Sequence, residues 1–260
     1  MNDQLIQKYG DQLYEALVNR NTIDPLTQTE PSITIEDAYR IQLRMVDRRL
    51  QAGESIIGKK IGVTSQAVMD MLKVDQPDFG QLTSSMVYGD GAAIELGSLI
   101  QPKAEGEIAF VLKHDLQGPG VTNADVLRAT EYVLPCFEIV DSRIRDWKIR
   151  IQDTVADNAS AGVFVIGDAA IDPRHIDLSV VGMTLEKNGD VVATGAGAAA
   201  LGHPLNAVTW LANTLGRLGM GLKAGEVILS GSLAAMVPVE AGAHLRVTLG
   251  GIGSVGVRFI

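Results

Sequence analysis

Three carboxylates occupy stretches of chain whose other residues are those of buried β-strands. Glu105 and Glu107 lie in Ala104-Glu105-Gly106-Glu107-Ile108-Ala109-Phe110-Val111-Leu112, and Glu138 lies in Tyr132-Val133-Leu134-Pro135-Cys136-Phe137-Glu138-Ile139-Val140. Side chains alternate along a strand, so Glu105 and Glu107 share one face while Ile108, Phe110 and Leu112 share the other. The two glutamates then sit roughly 7 Å apart at the backbone, close enough for their carboxylates to converge on one small object. A buried, uncompensated carboxylate is costly and is normally neutralised or paired. Three of them point to a shared cation, and ligation by oxygen alone favours Mg²⁺ or Mn²⁺ over zinc. Two plainer readings stand beside this one: a Glu-x-Glu pair on the solvated face of an antiparallel sheet, and Glu138 paired with Arg143 or Arg145.

Other segments carry groups able to do chemistry. In Ile57-Gly58-Lys59-Lys60-Ile61-Gly62-Val63, alternation puts Lys59 with Ile57, Ile61 and Val63, and Lys60 with Gly58 and Gly62 on the opposite face. Glycines beside Lys60 leave open space above a strand, which suits the close approach of a ligand. A lysine there can reach a carboxylate or enolate, or move a proton if burial lowers its pKa; alternatively the pair is a double lysine at a sheet edge. Gln76-Pro77-Asp78-Phe79-Gly80 has the proline and glycine of a turn, in which Asp78 is either catalytic or a cap on backbone amides. Asp153 through Gly162 is small and polar and leads into an apolar strand, as a pocket lip or a plain loop does. Ser230-Gly231-Ser232, after the strand-like Glu226-Val227-Ile228-Leu229, offers amides and hydroxyls that form a small nest for a substrate carboxylate.

The elements that must position these groups read as follows. Leu5, Tyr9, Leu13 and Leu17 make one apolar face of a first helix. After a polar linker with Pro25 and Pro31, Thr34 and Asp37 form a capping box for a second helix ending near Gly53. Its Arg44, Arg48 and Arg49 read as a solvated basic face. Short apolar runs follow at about 55–63, 105–112, 132–140, 162–166, 180–187, 190–194, 226–230 and 245–249. Asn188-Gly189 marks a type I′ hairpin, and helical patterns recur at Ser65–Leu72, Asn123–Glu131 and Pro204–Leu215. Strands and helices mix irregularly rather than alternating, which predicts an α+β, sheet-rich fold over a doubly wound one. The division expected is a helical region over 1–53 packed on a β-rich catalytic domain over 54–260.

Composition excludes several functions. A formal charge of −9 and the lack of a basic run argue against nucleic acid and anionic membranes. No apolar stretch is long enough to span a bilayer and the N-terminus lacks a signal-peptide pattern, so a cytoplasmic location is expected. A single cysteine, Cys136, rules out an internal disulfide and reads as a buried, inert thiol. Gly251-Ile252-Gly253-Ser254-Val255-Gly256 matches a dinucleotide fingerprint, but four residues remain after it and no helix can begin there. The four histidines are scattered; His203 before Pro204 reads as the start of a helix. There is no G-x-S-x-G elbow.

Taken together and in order, these segments resemble the hydratase/decarboxylase family of aromatic meta-cleavage pathways, within the fumarylacetoacetate-hydrolase-like superfamily. The resemblance is carried by Gly58 through Ser65, Gln76 through Gly80, Ala104 through Ala109, Phe137 through Ile144, Asp153 through Ser160 and Gly250 through Val255. It implies a mixed, rolled β-sheet core preceded by helices and a divalent metal, Mg²⁺ or Mn²⁺, on Glu105, Glu107 and Glu138. Lys60, Asp78 and Ser160 then line the reacting centre. Lys59 and the acid at Asp78 place the chain with the hydratases, for which the implied reaction hydrates 2-hydroxypenta-2,4-dienoate to 4-hydroxy-2-oxopentanoate. The resemblance further implies a small anionic 2-oxo acid as ligand, a homo-oligomer, and association with 4-oxalocrotonate decarboxylase. It leaves three alternatives: the decarboxylase reaction itself, hydrolytic carbon–carbon cleavage, and a catalytically silent partner subunit.

Overall fold

The computed structural model describes residues 1–260. The chain opens with helices α1 (Asp3–Asn19), α2 (Leu26–Thr29) and α3 (Ile35–Gln51). β1 (Ile56–Gly62), α4 (Gln66–Leu72), β2 (Asp78–Thr83), β3 (Val87–Gly89) and β4 (Ala92–Ile94) follow. The two longest strands, β5 (Pro102–Leu112) and β6 (Thr130–Asp141), are separated by α5 (Asn123–Ala129). Next come α6 (Ile151–Ala156), β7 (Ala161–Ile166), β8 (Gly182–Lys187), β9 (Asp190–Ala196) and α7 (Pro204–Arg217). β10 (Val227–Leu229), β11 (Val237–Pro238), β12 (His244–Leu249) and β13 (Gly253–Phe259) complete the fold.

These strands form two mixed sheets. The larger runs β2-β1-β10-β5-β6-β7-β3, with β11 added to β5, and the smaller runs β4-β13-β12-β8-β9. Both contain parallel and antiparallel pairs, giving the curled α+β architecture expected. Ile108, Phe110 and Leu112 point into a core of 36 buried residues shared with Met183, Leu185, Val247 and Val257 of the smaller sheet. The sheets meet closely at Gly106, where a Cβ would lie 2.5 Å from Met183 Sδ and 2.8 Å from Val247 Cγ2. Only glycine lets β5 lie this near its neighbours, and that residue stands between Glu105 and Glu107. The opposite face of the larger sheet carries the three glutamates. The Asn188-Gly189 turn has φ of 57° and 92°, as a type I′ hairpin requires.

The N-terminal helices form their own apolar cluster, including Ile6, Leu13, Ile41 and Met45, which closes on Val155 and Ala156 of α6. Thr34 and Asp37 do form a capping box. The basic face of α3 is not a solvated one, however. Arg44 and Arg48 both pair with Asp11 of α1, and Arg49 is buried against Glu54 and Ser85. Periodicity places these arginines on a side of the helix but does not reveal a facing carboxylate. Gln42, fully buried, donates to the carbonyls of Phe79 and Val155 and so ties α3 to β2 and α6.

Candidate metal centre and active-site cavity

The long pair β5 and β6 sets the acidic cluster by register. Glu105 stands directly opposite Glu138, and Glu107 opposite Cys136. One carboxylate oxygen from each of Glu105, Glu107 and Glu138 lies within 4.8 Å of the others. Glu107 and Glu138 are buried, and Oε1 of Glu107 and both oxygens of Glu138 have no hydrogen-bond partner. The remaining Glu107 oxygen accepts from the Gly231 amide at 2.7 Å. Glu138 does not reach the arginines considered from sequence: Arg143 pairs with Asp157 and Arg145 with Asp24. A solvated Glu-x-Glu face is likewise excluded by the burial.

Burial and mutual repulsion from Glu138 push the Glu105 carboxyl up to about 7, partly offset by Lys60. Burial raises Glu107 well above the usual carboxylate range, with Glu138 and Glu105 adding to the effect. Three clustered acids, two of them with orphaned, buried oxygens, fit a hard cation of oxygen preference. The neighbouring Cys136 thiol is buried and pushed up by burial, Glu107 and Glu138, as an inert thiol should be.

Lys60 comes from β1, which lies between β2 and β10 rather than at a sheet edge. Its ammonium lies 3.0 Å from Glu138 Oε1, an ion pair whose angle falls short of a well-formed hydrogen bond. Burial opposes the charge, yet the carboxylates of Glu138, Asp78 and Glu105 outweigh it and hold the Lys60 pKa above the ordinary lysine value. Lys59 points to the other face and pairs with buried Glu226 of the segment leading into β10. The space expected above the glycines is filled by protein. A Cβ at Gly58 would strike the Val227 carbonyl, and one at Gly62 would sit 2.3 Å from Asp78 Oδ1.

Asp78 is not in a turn. It is the first residue of β2, paired with Gly62, and is 1% exposed. Neither oxygen makes a well-formed hydrogen bond, so it caps no amide. Burial pushes its pKa up to about 6 against the pull of Lys60. The Pro77 and Gly80 signals misled because a turn-like composition here initiates a buried strand.

The Asp153 to Ser160 segment is likewise no loop. It is α6 followed by a tight left-handed turn in which Asn158, Ala159 and Ser160 have φ of 55°, 51° and 52°. Asp153 accepts from the Thr27 amide and hydroxyl, and Asn158 pairs with the backbone of Gln81 through both side-chain atoms. Asp157 holds the Arg143 guanidinium, the Ser142 hydroxyl and, at 3.3 Å, the Ser160 hydroxyl. Sequence reasoning missed Arg143 and Asp157 as this turn's anchor; a fully buried arginine was the only signal, and burial is not visible in one sequence.

A cavity of about 430 Å³ opens over the cluster. Lys60, Asp78, Glu105, Ser160 and Ser232 line it, with Val68, Met71, Leu72, Ile149 and Met236 toward the apolar side. The other two members of the expected serine-glycine nest face elsewhere. The Ser230 hydroxyl donates to the Ile108 carbonyl, and the Gly231 amide is spent on Glu107. His203 caps α7 through Nδ1 and takes no part.

Fold and site together define a superfamily: residues 53–260 match the family described as fumarylacetoacetate (FAA) hydrolase C-terminal, and the chain belongs to it. More particular relatives are hydratases. The chain is 60% identical to a 2-hydroxyhexa-2,4-dienoate hydratase of Comamonas testosteroni, over 98% of either chain. It is 65% identical to a 2-hydroxypent-2,4-dienoate hydratase of Pseudomonas putida, over 85% of this chain and 100% of that one. Among solved structures, 4-oxalocrotonate decarboxylase from Pseudomonas putida G7, complexed with magnesium and adipate, superposes with a TM-score of 0.97. That match has 38% identity and covers 100% of this chain and 99% of the other.

Proposed function

We propose that this chain is a hydro-lyase that converts 2-hydroxypenta-2,4-dienoate, the enol of 2-oxopent-4-enoate, to 4-hydroxy-2-oxopentanoate during meta-cleavage catabolism of aromatic compounds. One observation carries this reading: Glu105 lines a mostly apolar cavity beside Lys60 and Asp78, and its carboxylate clusters with those of Glu107 and Glu138, whose buried oxygens include ones without a hydrogen-bond partner. Glu105, Glu107 and Glu138 would hold Mg²⁺ or Mn²⁺. When bound, such an ion supplies Lewis acidity toward the carboxylate and 2-oxygen of an oxo acid.

The chain's own groups then divide the work. The enol proton is lost and C5 is protonated, giving the conjugated 2-oxo acid. Water adds its hydroxyl to C4, with Asp78 taking the water's proton, and C3 is protonated as the enolate collapses. Asp78 suits this task because burial raises its pKa to about 6 and no well-formed hydrogen bond holds its oxygens. Lys60, kept cationic by its carboxylate neighbours, stabilises negative charge on the enolate oxygen. Ser160 and Ser232 orient the substrate from the cavity wall, while Gly231 steers Glu107 and Ser230 fixes β10 to β5.

Decarboxylation of 4-oxalocrotonate is the second reading, favoured by the superposition with that enzyme. Lys60 is the single cationic side chain lining the cavity, and Glu138 already engages it. A second substrate carboxylate therefore meets no further cation in the cavity lining, which favours a monocarboxylate and hydration. Incubating purified protein and Mg²⁺ with each substrate separates the two: 4-hydroxy-2-oxopentanoate by NMR supports hydration, and carbon dioxide release from 4-oxalocrotonate alone rejects it. Inertness toward both would mark a silent partner subunit. The same reading includes a homo-oligomer and association with 4-oxalocrotonate decarboxylase, which light scattering on the chain alone and on the mixture would test.

A further inference from the structure

Trp147 is the one aromatic side chain bordering the cavity, and three separate features fix its place. Asp146 and Trp147 both adopt left-handed backbone, with φ of 56° and 55°. Such a conformation is rare for a bulky residue and persists only where the surroundings over-determine it. The indole N–H donates to the Gln101 carbonyl at 3.1 Å, and the Gln101 side-chain amide donates in turn to the Ser142 and Ile144 carbonyls. The Lys103 ammonium stands 4.3 Å from the indole centroid, a cation–π contact that further restrains the ring. None of these partners is a member of the acidic cluster.

Strand register locates the indole relative to that cluster. Gln101 immediately precedes Pro102, which pairs with Asp141, and three positions further along Glu105 pairs with Glu138. Trp147 is thus anchored at a residue four positions, roughly 13 Å, along the strand from Glu105. Val140, which also lines the cavity, lies on the Glu138 face of β6 roughly 7 Å from that residue. A flat five- or six-carbon acid, held at its carboxylate end through an ion on the cluster and in van der Waals contact with the indole at the other, fits this interval.

We infer that Trp147 determines specificity for the distal end of the substrate: its indole packs on the C5 end of a planar 2-hydroxydienoate and favours an uncharged alkyl substituent there. The inference rests on the hydratase reading for the identity of the substrate, but the packing itself does not require turnover. An indole supplies a large, rigid apolar surface with few rotamers to lose, so its truncation is felt by the substrate carbon it covers.

Two measurements test it. In kinetics with Mg²⁺, Trp147→Ala is expected to raise KM for 2-hydroxyhexa-2,4-dienoate about tenfold more than for 2-hydroxypenta-2,4-dienoate, with kcat little changed and Trp147→Phe restoring most of the difference. In fluorescence, the Trp210→Phe variant leaves Trp147 as sole reporter, since the chain has two tryptophans. Its emission is expected to change on adding 2-oxohexanoate with Mg²⁺ and to stay constant with oxalate, which has no distal carbons. A KM ratio unchanged by Trp147→Ala in an active enzyme, or emission that responds alike to both ligands or to neither, overturns the assignment. If the wild type hydrates neither dienoate, the hydratase reading fails while the fluorescence result still decides the role of Trp147.

Discussion

Glu107 Oε1 and Glu138 Oε2 are buried with neither a hydrogen-bond nor an ion-pair partner, and burial raises the proton affinity of Glu107. This has a consequence for the metal-free protein. Asp78 and Glu105 have folded-state pKa values of about 6 and about 7, above their unfolded values, chiefly through burial. Between the unfolded values near 4 and these raised ones, the folded state binds more protons, so stability falls as pH rises through that window. Calorimetry with chelator present should show Tm decreasing from pH 5 to pH 7.5. Added Mg²⁺ should raise Tm more at pH 7.5 than at pH 5, because ligation needs the deprotonated form. A chelated protein whose Tm climbs over that range would contradict the burial of uncompensated acids. At the same scale, Lys60→Ala should leave metal binding in place yet reduce kcat by at least a hundredfold, the order expected for losing a charge-stabilising donor.

Elements place these residues through a few close approaches. Gly106 lets β5 rest on β8 and β12, and Gly62 makes room for the Asp78 carboxylate. Gly106→Ala should cost about 1–3 kcal/mol through overpacking, read as a lower Tm, and should weaken metal binding by shifting its flanking glutamates. Gly62→Ala should preserve the fold while lowering kcat, because displacement of a catalytic group by about 1 Å can cost about a hundredfold. Comparable losses of Tm in both variants would deny Gly62 its separate role.

Much of this scale was legible in the chain. Alternation put Glu105 and Glu107 together and turned Ile108, Phe110 and Leu112 to the core, while the capping box and hairpin announced themselves by local chemistry. The turn at 76–80 and the plain-loop alternative for 153–162 fail because proline, glycine and small polar residues signal turns only when tertiary partners are absent, while the pocket-lip alternative holds, with Thr154, Ala159 and Ser160 lining the cavity. Here Gln42 and Asn158 supply those partners from distant positions. Arg44, Arg48 and Arg49 failed for the same reason: their acids lie outside any local pattern.

For the whole molecule, we propose that residues 1–53 are a helical layer packed on a catalytic domain formed by 54–260. Their apolar cluster closes on Ile144 and on Val155 and Ala156 of α6, the helix that leads to Ser160. A chain starting at residue 54 is therefore expected to aggregate or lose activity, as judged by light scattering and assay, rather than behave as a free-standing enzyme. No helix is long and apolar enough to cross a membrane. The net charge of −9 makes a local cation necessary for an anionic ligand to approach the cluster.

The central claim is that Glu105, Glu107 and Glu138 jointly hold one hard dication on which turnover depends. Titrating metal-stripped protein with Mn²⁺ by calorimetry, while following loss of dienoate absorbance, tests it most directly. One ion per chain should bind as activity returns, and Glu107→Gln should abolish both. Full turnover after exhaustive chelation, or unaltered Mn²⁺ affinity in Glu107→Gln, would contradict it.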